Sequence, residues 1–414
     1  MKKTPVKGTN DYLPEEVAVR DYMQNKILQV YENNGFQRIM TPALEDVNNL
    51  DNSDGGENLN LIFKILKRGD KLDRAITAEK FDELADLGLR YDLTLPLCRY
   101  YANNSGQLLN PMKVIQIDKV YRAERPQRGR LREFMQCDID ILGSESVACE
   151  IELILTMGEA LQAIGLNEFK VRINDRRILM GVLKSMGFPE DDLDSVCLTF
   201  DKFDKIGSEG VVQELTEKAF PAAAIEQLNR LMTADRMTLD TLPAADEMRE
   251  YLDEMRHIID TVEELNQGHY DIEFDISLVR GQGYYTGPIF EIESTKFRGS
   301  LAGGGRYDHL IGKFINRDVP AVGFSIGFER IFSLLMGDGE YHIPDRRKKA
   351  VILYEKNNFA EAWQYSAELR GQGNYDVLLY ERPKKTGRLL NQLKDHGYAA
   401  FMIYGQDEEL RELD

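Results

Sequence analysis

A cluster of arginines in an acidic chain is the part of the sequence best suited to bind a polyanion. The chain has 414 residues and a formal net charge of −18, yet five arginines fall between positions 122 and 132. They are Arg122, Arg125, Arg128, Arg130 and Arg132. Arginine suits phosphate because its planar guanidinium stays charged and presents two parallel N–H donors to two oxygens. The cluster therefore predicts a triphosphate site, and a solvated basic hairpin is the alternative that charge alone leaves open.

The residues after this cluster alternate in polarity, as the residues of a strand do. The two parities are Phe134, Gln136, Asp138 and Asp140 on one side, and Met135, Cys137, Ile139 and Ile141 on the other. With Pro126 and Gly129 before them, the pattern predicts a strand, a basic loop and a second strand. The second strand carries carboxylates and an amide into the neighbourhood of the arginines. A site for an ammonium group beside the triphosphate site follows from this arrangement.

The segment from Tyr121 to Gly143 resembles motif 2 of class II aminoacyl-tRNA synthetases, in the form found in histidyl-tRNA synthetases. The family pattern R-x-E-R-P-Q-x-G-R-x-R-(E/Q)-F is matched at every fixed position by RAERPQRGRLREF. The resemblance implies that Arg122 holds the α-phosphate and the amino-acid carboxylate, and that Arg130 reaches the outer phosphates. It implies further contacts in the same segment: adenine with Glu124 and Phe134, and the tRNA acceptor stem with Arg125 and Gln127.

Two other segments resemble motifs of the same class of enzymes. A predicted helix over residues 15–34, followed by a strand that Pro42 interrupts, is similar to motif 1, which builds the dimer interface in the family. An edge strand that simply ends at the proline is the local alternative. The run GFER at residues 327–330, before an apolar helix, resembles motif 3. By this resemblance Arg330 stacks on adenine and contacts the γ-phosphate.

The catalytic part of the resemblance lies in LVRGQGYYTG, residues 278–287. The family has RGLDYYTG here, so Gln282 and Gly283 replace leucine and aspartate. Arg280 occupies the place of the arginine that acts in the family as the cation on the α-phosphate. The glycines at 281 and 283 also fit part of a dinucleotide-binding pattern, but a strand follows them where that pattern requires a helix.

Histidine selection needs a carboxylate for the α-ammonium group and a hydrogen-bonding partner for the ring. The residues that match the family's histidine pocket are Asp92, Thr94 and Gln136 on the ammonium side, Asp140 on the ring side, and Tyr284, Tyr285 and Tyr307 around them. Strand packing is the alternative role for one of the two adjacent tyrosines. An acid against the ring rejects other amino acids, because they would leave it buried and unpaired. The family often has glutamate where this chain has Asp92 and Asp140, although a variant branch reads RYDLT and QCD(V/I)D as here.

Composition is that of an ordinary globular protein, with 43% hydrophobic and 29% charged residues. Neither a run of eighteen apolar residues nor the apolar core of a signal peptide is present, so we expect a cytoplasmic protein without a membrane span. The scattered Cys98, Cys137, Cys149 and Cys197 predict buried, reduced thiols. The histidines show no paired spacing, and no metal site is predicted. The negative net charge argues against loose nucleic-acid binding driven by overall charge.

The order of elements predicts an α+β fold. We expect the antiparallel sheet of class II synthetases, flanked by helices, with a helical insertion and a small C-terminal α/β domain whose core is parallel. The predicted boundaries are a catalytic domain at 1–335 with the insertion at about 176–268, a linker at 336–349 and the last domain at 350–414. The family continues further at this end, so the resemblance implies a shortened anticodon-binding domain.

Together these resemblances imply a histidine–tRNA ligase. Such an enzyme is a homodimer that uses ATP, with Mg²⁺ on its phosphates, to make histidyl-adenylate and then transfers histidine to the 3′ end of tRNA(His). The main alternative is the non-catalytic paralogue that serves as the histidine-sensing regulatory subunit of ATP phosphoribosyltransferase, which the shortened C-terminus fits. Arg122, Arg280 and Arg330 favour the ligase, because a sensor need not keep them. A ligase of the same fold acting on a small acceptor is a third interpretation.

Overall fold

The computed structural model describes residues 1–53, 56–126, 129–233, 238–243, 245–279, 283–337, 341–344 and 346–413. The chain divides into a larger unit, Met1–Tyr341, and a smaller one, His342–Asp414. The strands within these ranges are β1 (Gln37–Arg38), β2 (Leu44–Asp46), β3 (Lys64–Leu66), β4 (Ala85–Leu89), β5 (Met112–Tyr121), β6 (Glu133–Leu142), β7 (Lys170–Asp175), β8 (Asp271–Phe274), β9 (Pro288–Ser294), β10 (Phe297–Arg306), β11 (Ala321–Gly327), β12 (Lys348–Tyr354), β13 (Tyr375–Glu381), β14 (Tyr398–Ile403) and β15 (Arg411–Glu412). The α-helices are α1 (Pro14–Asn33), α2 (Val47–Asp51), α3 (Asp70–Thr77), α4 (Thr94–Asn104), α5 (Ala148–Ala163), α6 (Arg176–Ser185), α7 (Leu193–Phe200), α8 (Phe203–Glu217), α9 (Ala222–Thr233), α10 (Arg249–Leu265), α11 (Gly312–Ile315), α12 (Phe328–Gly337), α13 (Phe359–Gly371) and α14 (Thr386–Asp395).

A large mixed sheet is the centre of the larger unit. Its strands, as far as the chain is described, follow the order β1-β5-β6-β11-β10-β9-β7-β8. The strands from β5 to β7 in this order pair antiparallel, whereas β1 and β8 at the two edges pair parallel with their neighbours. Sequentially distant strands meet at its centre, where β11 lies between β6 and β10. The predicted α+β class, with an antiparallel sheet and flanking helices, is confirmed.

One face of this sheet packs against helices α1 and α5. The buried residues of α1 recur at helical spacing: Val19, Met23, Ile27 and Tyr31. On β6 the apolar parity of Cys137, Ile139 and Ile141 is buried, and the hydroxyl of Tyr31 donates to the carbonyl of Cys137 at 3.3 Å. Burial of each large apolar side chain stabilises the fold by about 1.5–3 kcal/mol. The polar parity of β6 therefore lies on the opposite face, where a pocket opens.

Helix α1 confirms the predicted helix over residues 15–34. Pro14 occupies its first turn, where no N–H is needed, and Glu16 accepts a hydrogen bond from the N–H of Leu13 at 2.7 Å. Gly35 ends the helix with a φ of +82°. The strand predicted around Pro42 is instead two short strands, β1 and β2, in two different sheets. The proline separates them because it cannot donate to a ladder.

Helices occupy the chain between β7 and β8. The first of them, α6, begins where the side chain of Asp175 accepts a hydrogen bond from the N–H of Arg177 at 2.7 Å. The last, α10, buries the stripe Leu252, Met255, Ile258 and Val262. After it, β8 returns parallel to β7 and extends the edge of the sheet. The helical segment is therefore inserted without interrupting the strands that carry the pocket.

The smaller unit is an α/β sheet with strand order β13-β12-β14-β15. Strand β12 pairs parallel with β13 and β14, as predicted from the alternation of strands and helices. Its side chains alternate between two small cores: Val351 and Leu353 pack with Leu393 of α14, and Ile352 packs with Ala362 of α13. The antiparallel β15 was not predicted, because two residues carry no periodic pattern. No helix in the described ranges is both long and apolar enough to cross a membrane.

Candidate active site

The arginine-rich loop connects β5 and β6, the second and third strands in the order of the large sheet. At its base the N–H of Arg122 donates to the carbonyl of Arg132 at 2.9 Å. Arg132 also donates to three other carbonyls, those of Glu124 through Nε at 3.1 Å, of Lys7 through Nη1 at 3.4 Å and of Gly8 through its N–H at 2.7 Å. Gly129 turns the chain with a φ of +76°. Arg132 therefore stabilises the base of the loop, whereas Arg122 and Arg130 line a pocket.

A pocket opens on the polar face of β6, β10 and β11. Most of the residues predicted to bind substrates line it: Asp92, Thr94, Arg122, Glu124, Arg130, Phe134, Gln136, Asp140, Tyr284, Tyr285, Tyr307 and Arg330. Arg125 is exposed and is not part of the lining. Arg280 and Gln127, as well as Gln282, lie outside the described residues. The fold thus brings several distant segments of the sequence to one place.

Three arginines of the pocket lie close enough for their charges to interact. Burial, followed by the positive charges of Arg130 and Arg122, lowers the pKa of the Arg330 guanidinium. Two carbonyls orient Arg330, that of Ser300 at Nη1 and that of Gly129 at Nε, the latter at 3.4 Å. Like charges held together in a partly dry site favour the binding of an anion. This part of the pocket is therefore suited to phosphates.

Arg122 and Arg130 differ in how firmly they are held. The Nε of Arg122 donates to the carbonyl of Tyr91 at 3.0 Å, and its guanidinium carbon lies 5.2 Å from the ring centroid of Phe134. Arg130 is 47% exposed and lies 3.6 Å from the carboxylate of Glu124. A pair of this length and exposure is weak. Phosphate oxygens can therefore compete for Arg130, whereas Arg122 is fixed in advance.

Gln136 on β6 presents an unsatisfied acceptor. Its Nε2 donates to the hydroxyl of Ser325 on β11 at 2.8 Å. Its Oε1 is buried and has no hydrogen-bond partner within the part of the chain that the structure describes. Buried polar atoms are nearly always paired, so an orphan at the wall of a pocket indicates a donor supplied by a ligand. An ammonium group is such a donor.

Two aspartates of the pocket have strongly perturbed acidity. Burial raises the pKa of Asp92 to about 6 and that of Asp140 to about 7. Hydrogen bonds partly offset this effect: the N–H of Leu95 donates to Asp92 at 3.2 Å, and the hydroxyl of Tyr307 donates to Asp140 at 2.6 Å. The charge of Asp92 further raises the pKa of Asp140. A bound cation would favour the ionised form of both acids.

Glycines allow the backbone to approach these acids closely. A Cβ atom added to Gly323 on β11 would overlap Oδ1 of Asp140 and would lie 3.3 Å from the ring of Tyr307. A Cβ atom added to Gly304 on β10 would in turn overlap the carbonyl oxygen of Gly323. Both glycines line the pocket. Because neither position has room for a side chain, the two glycines determine the depth of the pocket beside Asp140.

The adjacent tyrosines are packed and also form part of the pocket wall. Tyr284 and Tyr285 are 8% and 7% exposed, and their ring centroids lie 4.8 Å apart. Tyr284 also meets Tyr307 edge to face at 6.1 Å. In contrast, Arg306, the residue before Tyr307, is not in the pocket lining, because it is buried in an ion pair with Glu150. Of these two neighbours, Tyr307 therefore belongs to the pocket and Arg306 to the core.

Several lining residues were not predicted as site residues, among them Asp138, Ser325 and Glu329. The parity of β6 could have indicated Asp138, which lies between Gln136 and Asp140. Ser325 carries no motif, and its role depends on its cross-strand neighbours. Glu329 belongs to the GFER run, and it binds Arg20 of α1 through both oxygens, at 2.6 and 2.7 Å. It therefore joins helices α12 and α1.

The cysteines are buried and free, as predicted: Cys98, Cys137, Cys149 and Cys197. None of them lines the pocket. Across the described ranges, no three His, Cys, Asp or Glu side chains converge in a way that could hold a metal ion. The charged groups available to a ligand in the pocket are therefore arginines and carboxylates.

Solved structures share this fold. The histidyl-tRNA synthetase from Nostoc sp. PCC 7120 superposes with a TM-score of 0.82 at 26% identity, covering 100% of this chain and 95% of that one. An ATP phosphoribosyltransferase regulatory subunit/histidyl-tRNA synthetase from Bacillus halodurans C superposes with a TM-score of 0.78, covering 97% and 98%. Its identity of 22% shows the fold alone. The fold by itself therefore does not separate a ligase from the regulatory paralogue.

Sequence comparison does favour one of the two. The Histidine–tRNA ligase of Leifsonia xyli subsp. xyli (strain CTCB07) is 43% identical over 347 residues, which is 80% of this chain and 80% of that protein. A family profile described as Histidyl-tRNA synthetase matches residues 8–331, a range that contains the whole lining of the pocket. The ligase is therefore favoured over the regulatory paralogue. This chain belongs to the histidyl-tRNA synthetase family.

Proposed function

We propose that the chain joins histidine to tRNA in two steps at this pocket. In the first, the carboxylate of histidine attacks the α-phosphate of ATP, which forms histidyl-adenylate and releases pyrophosphate. In the second, a hydroxyl of the terminal ribose of tRNA takes the histidyl group and AMP leaves. Family membership makes the chain an aminoacyl-tRNA ligase. The observation that carries the assignment is a single pocket that combines clustered arginines with buried acids and an unpartnered amide oxygen.

The arginines are the proposed ATP-binding residues. Activation brings two anions together, so cationic groups must lie where negative charge accumulates. Arg122, already fixed by a carbonyl, would hold the α-phosphate and the histidine carboxylate. Arg130 and Arg330 would bind the outer phosphates, with adenine between Phe134 and Arg330 and its edge read by Glu124. Mg²⁺ would enter as its complex with ATP, with phosphate oxygens and water as its ligands.

Arg280 is the proposed catalytic cation on the α-phosphate. This role rests on the resemblance of its segment to the family's RGLDYYTG. Removal of the guanidinium should abolish adenylate formation and leave histidine binding largely intact, because the histidine pocket is formed by other residues. Arg280→Ala, measured by adenylate formation and by histidine titration, tests this role. An unchanged rate would remove Arg280 from catalysis.

The acids and the amide are the proposed histidine-binding residues. Gln136, Asp92 and Thr94 would bind the α-ammonium group, since an unpaired acceptor and a buried acid both gain from a cation. Asp140, held by Tyr307, would accept the ring N–H, with Tyr284 and Tyr285 beside the ring. An amino acid without a ring donor would leave Asp140 buried and unpaired. Such a loss supports strong discrimination.

Arg125 is the proposed contact for the acceptor stem of tRNA(His), together with Gln127. Arg125 is exposed and belongs to the same loop as the ATP-binding arginines. The rest of the chain is acidic, so a local basic loop can bind one RNA where overall charge discourages others. Because the proposed substrate is tRNA, the proposed localisation is the cytoplasm. The buried free thiols fit a reducing compartment.

A homodimer is the proposed assembly. The small sheet of β2, β4 and β3 has a partly exposed apolar face: Leu44, Ile65, Leu87 and Leu89 share one side of it. Leu44 is 49% exposed and Leu87 is 39% exposed. The exposed Asp46 shares this side opposite Leu87, and a mainly apolar face of this kind is typical of protein–protein contacts. Light scattering should therefore give twice the mass of the chain, and a monomer mass would contradict the proposal.

Charging of tRNA with labelled histidine tests the proposed function. We expect the purified chain to charge tRNA(His) with histidine alone among the amino acids. Arg122→Ala should lower activation and charging together, by about a hundredfold or more, because it removes a transition-state contact. Arg125→Ala should lower charging and keep activation. Equal losses in both reactions would contradict the acceptor-stem role, and no charging by the unmodified chain would contradict the function.

A further inference from the structure

The orientation of the Gln136 amide is decided by a short chain of hydrogen bonds. The Nε2 of Gln136 donates to Oγ of Ser325 at 2.8 Å, and Oγ of Ser325 donates to Oδ1 of Asp138 at 2.5 Å. Ser325 is the cross-strand neighbour of Asp138 in the β6–β11 ladder. All three residues line the pocket. The chain therefore begins at a carboxylate and ends at the amide that is proposed to meet the substrate.

A serine hydroxyl has one proton, and this fixes the direction of the chain. When the Ser325 hydroxyl donates its hydrogen bond to Asp138, the serine oxygen can only accept a hydrogen bond from Gln136. The amide nitrogen must then face the serine, and the carbonyl oxygen must face away from it. This agrees with the buried Oε1 of Gln136, which lacks a partner among the described residues. The reversed amide would instead point its two N–H donors into the pocket.

We propose that Ser325 and Asp138 are positioning residues for histidine selection, which hold the Gln136 amide with its oxygen, and not its nitrogen, towards the α-ammonium group. This rests on the ammonium-binding role proposed above for Gln136. A cation gains from a carbonyl oxygen and is repelled by an amide N–H. We call the hydrogen bonds from Gln136 through Ser325 to Asp138 the relay. Through it, the negative charge of Asp138 decides which end of the Gln136 amide faces the pocket.

The charges around Asp138 make this orientation depend on the substrate. Burial, followed by the charge of Asp140, raises the pKa of Asp138 well above its ordinary value, while the Ser325 hydroxyl and Arg122 favour the carboxylate. A protonated Asp138 could donate to Ser325, and the serine proton could then turn towards the amide. An ammonium ion in the pocket favours the ionised acid by opposite charge. The substrate therefore supports the orientation that binds it.

Histidine and 3-(imidazol-4-yl)propionate, which lacks only the ammonium group, separate this role from a structural one. Titration calorimetry on the full chain gives the Kd of each. Ser325→Ala frees the amide to reverse, so we expect histidine to bind about tenfold more weakly, as for one oriented bond to a charged group. The propionate should bind with less than a twofold change. Equal weakening of both compounds would overturn the proposal.

Asp138→Asn tests the direction of the relay. A carboxamide can donate as well as accept, so it no longer forces the serine proton away from Gln136. Histidine should bind several-fold more weakly to Asp138→Asn than to the unmodified chain. In the Ser325→Ala background the same change should have no further effect, because the hydroxyl that connects the two residues is gone. A full loss from Asp138→Asn in that background would show that Asp138 acts without the relay.

Two further variants keep the interpretation clear. Ser294→Ala removes a buried serine hydroxyl from β9 of the same sheet, where it accepts from the N–H of Lys296 at 3.3 Å, and it should leave both Kd values unchanged. Gln136→Ala should weaken histidine at least as much as Ser325→Ala does. No loss in Gln136→Ala would contradict the proposed role of Gln136 itself. A loss in Gln136→Ala with none in Ser325→Ala would contradict the relay alone.

Discussion

The residues of the pocket carry two kinds of charge. Arginines remain protonated at any working pH, so Arg122, Arg130 and Arg330 form a permanent positive surface. Asp92 and Asp140 have pKa values raised by burial to about 6 and about 7, so their charge depends on what is bound. A substrate that carries an ammonium group favours the ionised acids. Binding of histidine would thereby ionise acids that are partly protonated in the empty site, which is a basis for selection.

The raised pKa of Asp140 predicts that the empty protein loses stability as the pH rises towards neutrality. Its pKa in the folded chain is about 7, against an ordinary value of 3.8, so between these values the folded chain holds a proton that the unfolded chain has released. The contribution of Asp140 to the free energy of unfolding is fully present below about pH 4. It is lost as the pH rises through 7, at about 1.4 kcal/mol per pH unit between these values. Asp140→Asn should remove that part of the slope. Urea unfolding from pH 5 to pH 7 measures it, and identical slopes in the two proteins would contradict the account.

Residue types with a motif around them could be predicted from the sequence, whereas residues that work through a partner could not. Asp92, Gln136 and Asp140 fall in segments with a recognisable pattern, and the pocket contains them. Ser325 was not predicted, because its partner Gln136 lies 189 residues away in the chain. Glu329 belongs to a motif, but its pairing with Arg20 depends on how two helices pack. A local sequence pattern therefore predicts which residues can do chemistry, but it does not predict which distant residues position them.

At the scale of elements, the antiparallel pair of β6 and β11 determines the shape of the pocket beside Asp140. Gly323 on β11 lies opposite Asp140 on β6. A methyl group at Gly323 would overlap the Asp140 carboxylate and crowd Tyr307. The carboxylate would have to move, and overpacking of this kind costs about 1–3 kcal/mol. The strand pairing thus makes a glycine necessary for the position of an acid on the neighbouring strand.

Gly323→Ala should therefore raise the KM for histidine by about tenfold or more, which corresponds to the lower part of that range. The KM for ATP should change by less than about twofold, because the atoms nearest to a Cβ added at Gly323 belong to Asp140 and Tyr307 and not to an arginine. Gly337→Ala is the matched control, since no described residue has an atom within 4 Å of an added Cβ at the end of α12. Steady-state kinetics with each substrate varied in turn gives both constants. A normal KM for histidine in Gly323→Ala would refute the steric argument.

Helices α1 and α12 are joined by a buried ion pair, and its loss should destabilise the larger unit. Arg20 and Glu329 are 11% and 9% exposed. Arg20→Ala leaves Glu329 buried without its guanidinium, which costs about 3 kcal/mol in unfolding free energy. Arg230→Ala removes an exposed pair with Glu226, 75% and 66% exposed, and should cost about 0.5 kcal/mol or less. Urea unfolding compares them, and equal losses would show that burial of the first pair has no consequence.

Elements with a clear period were predictable, and short or interrupted ones were not. The helical spacing of α1 and the alternation along β6 are enough to predict both elements. The chain around Pro42 was expected to be one broken strand, but β1 and β2 belong to different sheets. Strand β15 has two residues and no pattern to detect. Pairing with distant strands forms these short elements, and a local window contains no information about it.

For the molecule as a whole, the charge distribution combines an acidic chain with a local cluster of arginines. A chain with a net charge of −18 places Arg122, Arg130 and Arg330 around one pocket. Acidic surroundings discourage general contact with nucleic acid, while the exposed Arg125 stays available in the loop. Binding of ATP and of one tRNA then depends on local geometry rather than on overall attraction. The same arrangement would have little use in a protein that only sensed histidine.

Exchange of labelled pyrophosphate into ATP, measured on the purified chain without tRNA, tests the central claim most directly. The reaction is the reverse of activation, so it needs the arginines and the histidine pocket to act together on one adenylate. The account predicts exchange that depends on histidine and is absent with other amino acids or with 3-(imidazol-4-yl)propionate. Histidine binding without any exchange would contradict it, and would assign this pocket to sensing instead of catalysis.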